Sequence, residues 1–154
     1  MGFTTPFPQR NGLPCLSGCS PVTNIGLDDY KFTADGFSNY GISDNNPPQL
    51  SNFILIPIAI LTNNDAVAYV DYLDLENQTG TIYFQWYVNG VNVYNQTRNN
   101  ILNGTMGVIS NLSSTNFSKD DQINVSVHAS DGIINSTPIW SGILIVQDTP
   151  PNIT

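Results

Sequence analysis

An all-β antiparallel sandwich of seven or eight short strands, preceded by an extended N-terminal arm, is the fold this 154-residue sequence predicts. Three observations carry it. Residues that populate exposed helix surfaces at little cost nearly vanish, with 5 Ala, 1 Glu and 2 Lys in the whole chain. Short runs alternate apolar and polar residues, the period of a half-buried strand. Between the runs stand turn formers, 20 Asn, 12 Gly and 10 Pro, and Asn89-Gly90 is the strongest short hairpin signal among them.

Residues 1–46 read as the arm. They carry Pro6, Pro8, Pro14 and Pro21 with Gly2, Gly12, Gly18 and Gly26, and too few apolar residues to bury a core alone. Such a segment either wraps its own domain or docks on a neighbour. One hairpin is legible in it, Asp29–Thr33 against Phe37–Ile42, turned at Asp35-Gly36.

Residues 47–149 read as the sandwich. Leu50–Ala59 is a first strand that Pro57 confines to a sheet edge or to a kink between sheets. Ala66, Ala68, Val70 and Tyr72 form the inward face of a second, followed by a turn at Asn77–Gly80. Ile82, Phe84, Trp86 and Val88 alternate with Tyr83, Gln85 and Tyr87 in the clearest period-2 run, and Val91–Tyr94 returns from Asn89-Gly90. Met106–Leu112 is a weaker strand. Ile123, Val125, Val127 and Ala129 then point inward, with Asn124, Ser126, His128 and Ser130 outward. Asp131-Gly132 turns the chain and Ile139–Val146 closes the set. Residues 150–154 read as a linker or the start of a next repeat, because Pro150-Pro151-Asn152-Ile153-Thr154 echoes Pro47-Pro48-Gln49-Leu50-Ser51 one domain length earlier.

Charge removes whole classes of partner. With 4 basic against 12 acidic residues and a net charge of −8, the chain has no basic footprint for nucleic acid. No apolar run approaches the roughly 18 residues that suggest a membrane span, so no membrane insertion is expected. Nor is there a basic-flanked apolar leader, so the chain is expected to be cytosolic or a mature or excised piece of something larger.

The asparagines decide between these. Asn77, Asn95, Asn103, Asn111, Asn116, Asn124, Asn135 and Asn152 each open an Asn-x-Ser/Thr triplet, and all lie from residue 77 onward. Composition there gives about two or three triplets by chance. One reading is compositional bias in a polar β-protein; the other is dense N-glycosylation, which needs export and surface exposure. The second points to an extracellular or cell-surface glycoprotein. Cys15 and Cys19, spaced by Leu-Ser-Gly, are compatible with a local disulfide, with free thiols or with a bond to another chain.

At this point the residues carry a resemblance. Phe84-Gln85-Trp86-Tyr87-Val88-Asn89-Gly90-Val91, the Lys119-Asp120-Asp121 corner, Ala129-Ser130-Asp131-Gly132 and the Pro150-Pro151 linker resemble the immunoglobulin-like tandem repeats of bacterial and archaeal surface proteins, related to PKD and cadherin-like modules. The resemblance spans residues 47–151. It implies an immunoglobulin-like sandwich with Trp86 as the core Trp of the third strand, and it implies nothing about a ligand. The inter-sheet disulfide of antibody domains is absent, since both Cys lie in the arm.

Catalytic chemistry finds no footing. The single His128 alternates with core residues and reads as solvated, no Ser sits in a nucleophile elbow, and the carboxylates offer no pair across a cleft. No enzyme and no cofactor are expected. Asp74, Glu76 and Asp131 fall at one end of such a topology; they read as turn-forming acids, with Ca²⁺ binding as the weaker alternative. Tyr83 and Tyr87, with Tyr94 nearby, form an aromatic face for sugars or for a covering protein partner. The function expected is a structural subunit or repeat of an N-glycosylated surface filament, stalk or layer, its arm adding a donor strand to a neighbouring copy as in pili. Its partners are copies of itself in a homopolymer or tandem domains of one polypeptide. The alternative is an adhesin or carbohydrate-binding module of a large cell-surface or virion protein; a third is a spacer in a secreted enzyme.

Overall fold

The computed structural model describes residues 6–26, 29–36 and 40–150. The sandwich is built from β6 (Gln49–Ile56), β7 (Ala66–Leu73), β8 (Gly80–Val88), β9 (Val91–Ile101), β10 (Val108–Leu112), β11 (Gln122–Ser130), β12 (Ile139–Trp140) and β13 (Leu144–Ile145), with a 3₁₀ turn at Ser114–Asn116. One sheet has the order β10-β7-β6; the other runs β12-β11-β8-β9, with β13 also on β11. All ladders are antiparallel.

The inward residues read from the period-2 pattern of the central strands are all buried. Ala66, Ala68, Val70 and Tyr72 of β7, Ile82, Phe84 and Trp86 of β8, and Ile123, Val125, Val127 and Ala129 of β11 are all buried between the sheets. Full burial of a Val, Ile or Phe side chain is worth about 1.5–3 kcal/mol before chain entropy is charged against it. Trp86 is fully buried, as the core Trp expected in the third strand, and its indole N–H donates to Ser110 Oγ at 2.8 Å. That bond links β8 to β10 across the core, where the antibody disulfide has no counterpart.

Pro57 takes the first of the two placements expected of it. β6 lies at a sheet edge and ends at Ile56, just before the proline. Beyond it the chain crosses over: Leu61 forms a parallel bridge with Gln147, Thr62 N–H donates to the Gln147 carbonyl, and Gln147 N–H donates to Ile60. Asn89 and Gly90 both adopt positive φ, 50° and 77°, which closes the β8–β9 hairpin in the twist-matched turn.

Two strands differ from expectation. β9 runs to Ile101 and not to Tyr94, because an edge strand with mostly exposed residues carries no inside–outside alternation to read. The closing strand is split into β12 and β13 by an irregular Ser141–Ile143 segment.

The arm is organised by itself. β1 (Pro6–Arg10) pairs with β2 (Leu13–Pro14) through Asn11-Gly12, which repeats the positive-φ pair of the β8–β9 turn. β1 also pairs along its length with β5 (Tyr40–Asp44), and β3 (Thr23–Gly26) pairs with β4 (Asp29–Lys31). This corrects the expected Asp29–Thr33/Phe37–Ile42 hairpin: its two halves find other partners, and Phe37–Asn39 lie outside the described residues. The long-range β1–β5 ladder, which no local turn signal announces, takes the second half away.

Asparagine does more here than decorate turns. Among the described residues, five of the six non-glycine residues at positive φ are Asn (Asn11, Asn52, Asn77, Asn89 and Asn100), the L-residue that tolerates this region best. Asn amides also donate to carboxylates: Asn45 to Asp131 at 2.7 Å, Asn46 to Glu76 at 2.6 Å, Asn52 to Asp71 at 2.6 Å and Asn89 to Asp121 at 2.7 Å. In a chain with only four basic residues, carboxamides thus do the pairing that Lys and Arg do elsewhere.

Candidate functional site

The outer face of the larger sheet gathers the aromatic residues. Register sets Tyr83 opposite His128, Gln85 opposite Ser126 and Tyr87 opposite Asn124, and residues directly opposite share a face. The Tyr83 and His128 rings stack at 4.8 Å with an interplanar angle of 14°. Trp140 joins because β12 places it opposite Ser126; its ring stands 5.2 Å from that of Tyr87 and is 55% exposed. Between these pairs Ser126 is buried on the nominally outer face, its hydroxyl donating to Gln85 Oε1 at 3.3 Å.

Two expectations change here. His128 is half-buried against Tyr83 rather than freely solvated; burial holds its imidazole below the ordinary value, and its Nδ1 lacks a hydrogen-bond partner. Tyr94 does not belong to the face. It stands opposite Trp86, hence on the inward side of its sheet, and lines a depression with Asn111, Ser113 and Asn116. A bulge between Trp86 and Tyr87 makes the alternation of β9 unreadable from sequence. Trp140 was missed because a two-residue strand beside an irregular segment has no period.

At one end of the sandwich Asp74, Glu76 and Asp131 each hold a loop. Asp131 Oδ1 accepts from the N–H groups of Ile133 and Ile134 at 2.7 and 2.8 Å, and its Oδ2 accepts from Asn45. Glu76 Oε1 accepts from Asn46, so both carboxylates tie the arm's exit to the domain. Asp74 Oδ1 accepts from Gln78 N–H at 2.9 Å, while its Oδ2 is buried without a partner. Burial first, then the charges of Asp131 and Glu76, push its carboxyl above the ordinary range. Among the described residues no group of three His, Cys, Asp or Glu side chains is placed to hold a metal ion together; Asp74 and Asp131 accept from backbone N–H groups of their own loops, and Glu76 accepts from the Asn46 side chain.

Seven of the eight sequon asparagines are described, and Asn152 lies outside. Asn77, Asn95, Asn111, Asn116 and Asn135 are exposed; Asn103 and Asn124 are half-buried. Asn103 is engaged at both ends of its amide, accepting from Asp74 N–H at 2.7 Å and donating to Asn77 Oδ1 at 2.9 Å. Asn116 Nδ2 donates to the Ser113 carbonyl at 3.1 Å.

In the arm Cys15 and Cys19 are joined by a disulfide with Cα atoms 6.0 Å apart. They border a largely apolar cleft of about 320 Å³ with Phe7, Pro8 and Pro21, into which Ile133 of the Asp131-Gly132 turn also projects. Phe7, buried, is the arm's own apolar anchor.

Among the described residues no helix is long and apolar enough to cross a membrane. The chain is thus an all-β protein, a sandwich with a self-paired N-terminal arm. No protein-family model, curated protein or solved structure matches it, so the fold stands as an antiparallel β-sandwich and membership of the immunoglobulin-like repeats does not follow.

Proposed function

We propose that the chain is a structural module of an extracellular surface assembly, exported and N-glycosylated, that works by holding position and not by catalysis. The observation that carries this reading is the placement of the sequons. None of the seven described ones opens on a buried Asn, and those on strands, Asn95, Asn111 and Asn124, do not interrupt the core. Carboxamide clamps between arm and sandwich support a rigid unit.

Assembly through the arm takes a particular form. β1 is already paired with β5, so strand addition to a neighbour exchanges the same five-residue ladder between copies, a swap that keeps every backbone bond. Site-by-site mapping of sugars on material from the native source tests the first part; a protein bare at every sequon would refute it. Deleting residues 1–25, which removes β1, tests the second, and assemblies that persist would refute the exchange.

A second reading, a sugar-binding adhesin module, is favoured by the exposed Trp140 beside Tyr87. Glycan-array binding abolished by Trp140→Ala would decide for it.

A further inference from the structure

The aromatic face and one sequon coincide. Asn124 projects from β11 directly opposite Tyr87, and Trp140, whose ring packs on Tyr87, stands opposite Ser126 two residues along the same face. Across the other edge of β11, Ser141 bonds Val125, the neighbour of Asn124, and nothing lies within 4 Å of a Cβ placed on the following Gly142. The third residue of the sequon is Ser126, buried and bonded to Gln85 in the floor of the same face. A large exposed indole on a sheet, beside a phenol ring and an attachment point for sugar, is a ring platform with its ligand's anchor built in.

We propose that this face is the seat of the protein's own glycan: the sugar attached at Asn124 lies against Tyr87 and Trp140, covering apolar rings that would otherwise face water. The idea rests on the glycosylation reading and extends it to a bound conformation. Attachment joins Asn124 Nδ2 to the anomeric carbon of a sugar carried on a lipid phosphate; the carbon–oxygen bond to that phosphate breaks, and the amide gives up one proton. The C–H groups on one face of a pyranose carry partial positive charge, and the faces of Tyr and Trp carry the complementary negative quadrupole. Neighbouring side chains on a sheet face, about 5 Å apart, are within reach of a sugar ring held on an Asn of the same face. The platform is therefore occupied from within and closed to foreign sugars while Asn124 carries its glycan.

Trp140 reports on the contact, because Trp86 is fully buried and contributes a constant background. Native glycoprotein is compared with Asn124→Gln and with Ser126→Ala, which removes the sequon but keeps the asparagine; Asn116→Gln, in the depression it lines with Tyr94, Asn111 and Ser113, is the control. The readout is iodide quenching of Trp fluorescence, with glycopeptide mapping on every sample. Losing the Asn124 glycan is expected to raise the quenching constant of the exposed Trp about twofold, since a sugar on one ring face hides roughly half of it. Asn116→Gln leaves it unchanged.

Three results would overturn the proposal. One is Asn124 bare while other sequons are occupied; another is Asn124 occupied with quenching equal in wild type and both variants. The third is a wild-type protein, glycan intact, whose Trp140 is shielded further by added oligosaccharide, which marks the platform as open to foreign sugar. A chain bare at every sequon overturns the glycoprotein reading as well, which separates the two failures.

Discussion

Replacing Ser110 by alanine asks whether one hydrogen bond across the core holds the two sheets in register. Ser110 and Trp86 are both 0% exposed, and among the described residues the indole N–H donates to Ser110 Oγ at 2.8 Å and to no other group. Ser110→Ala leaves the N–H buried without an acceptor, a cost of about 1–3 kcal/mol, more than the net value of an ordinary exposed hydrogen bond. For a chain of 154 residues a loss of about 2 kcal/mol lowers Tm by roughly 4–8 °C. Urea unfolding followed by Trp fluorescence measures it directly. In a Trp86→Phe background the same Ser110→Ala change orphans no donor, so its cost there is expected to fall to roughly 0.5 kcal/mol or less, although Trp86→Phe itself opens a cavity. Equal costs in the two backgrounds, or a Ser110→Ala protein within about 0.5 kcal/mol of wild type, would refute the reasoning.

Gly80→Ala should destabilise by about 1–3 kcal/mol, because a Cβ there would stand 2.5 Å from Cε2 of the buried Tyr72 and closer still to its Cζ and hydroxyl; chemical denaturation checks it, and Tyr72→Leu should remove most of the penalty. His128 should titrate below the ordinary histidine value by NMR. Its folded pKa being the lower one, its contribution to stability is full above pH about 6.5 and is lost as pH falls through the folded value; His128→Gln should flatten that part of the pH–stability curve. Asp74 has the opposite sign: its folded pKa is raised by burial, so its contribution is present at acid pH and is lost as pH rises through that value. Asp74→Asn keeps the acceptor for Gln78 N–H and should raise Tm at pH 7 while removing this dependence. Reducing the Cys15–Cys19 bridge should leave the main unfolding transition in place, since the bridge closes a short loop in the arm, away from the sandwich core.

Much of the sandwich was legible because its central strands are buried on one side only. β7 and β8 alternate cleanly, β11 does so except at the buried Ser126, and each inward residue read from the sequence is in the core. The same principle explains the failures. β9 is an exposed edge, so Asn95–Ile101 shows no contrast between faces, and Tyr94 was set beside Tyr83 and Tyr87 when the bulge at Trp86/Tyr87 sends it to the other side. In the arm the Asn11-Gly12 turn, with the same chemistry as Asn89-Gly90, went unread as a hairpin, and the β1–β5 ladder joins residues thirty or more positions apart and has no local signature.

The sequence by itself determined the class of fold, the residues between the sheets and the turns where backbone twist demands Asn-Gly. These are local matters of side-chain period and φ preference. Only tertiary structure decided which outward residues meet: that Trp140 stands by Tyr87, that Asn124 shares their face, and that Asn45 and Asn46 clamp Asp131 and Glu76. The physical reason is that a sheet face is assembled by strand order and register. Both are settled by the summed burial of many residues, and no single stretch of sequence encodes its neighbour across a ladder.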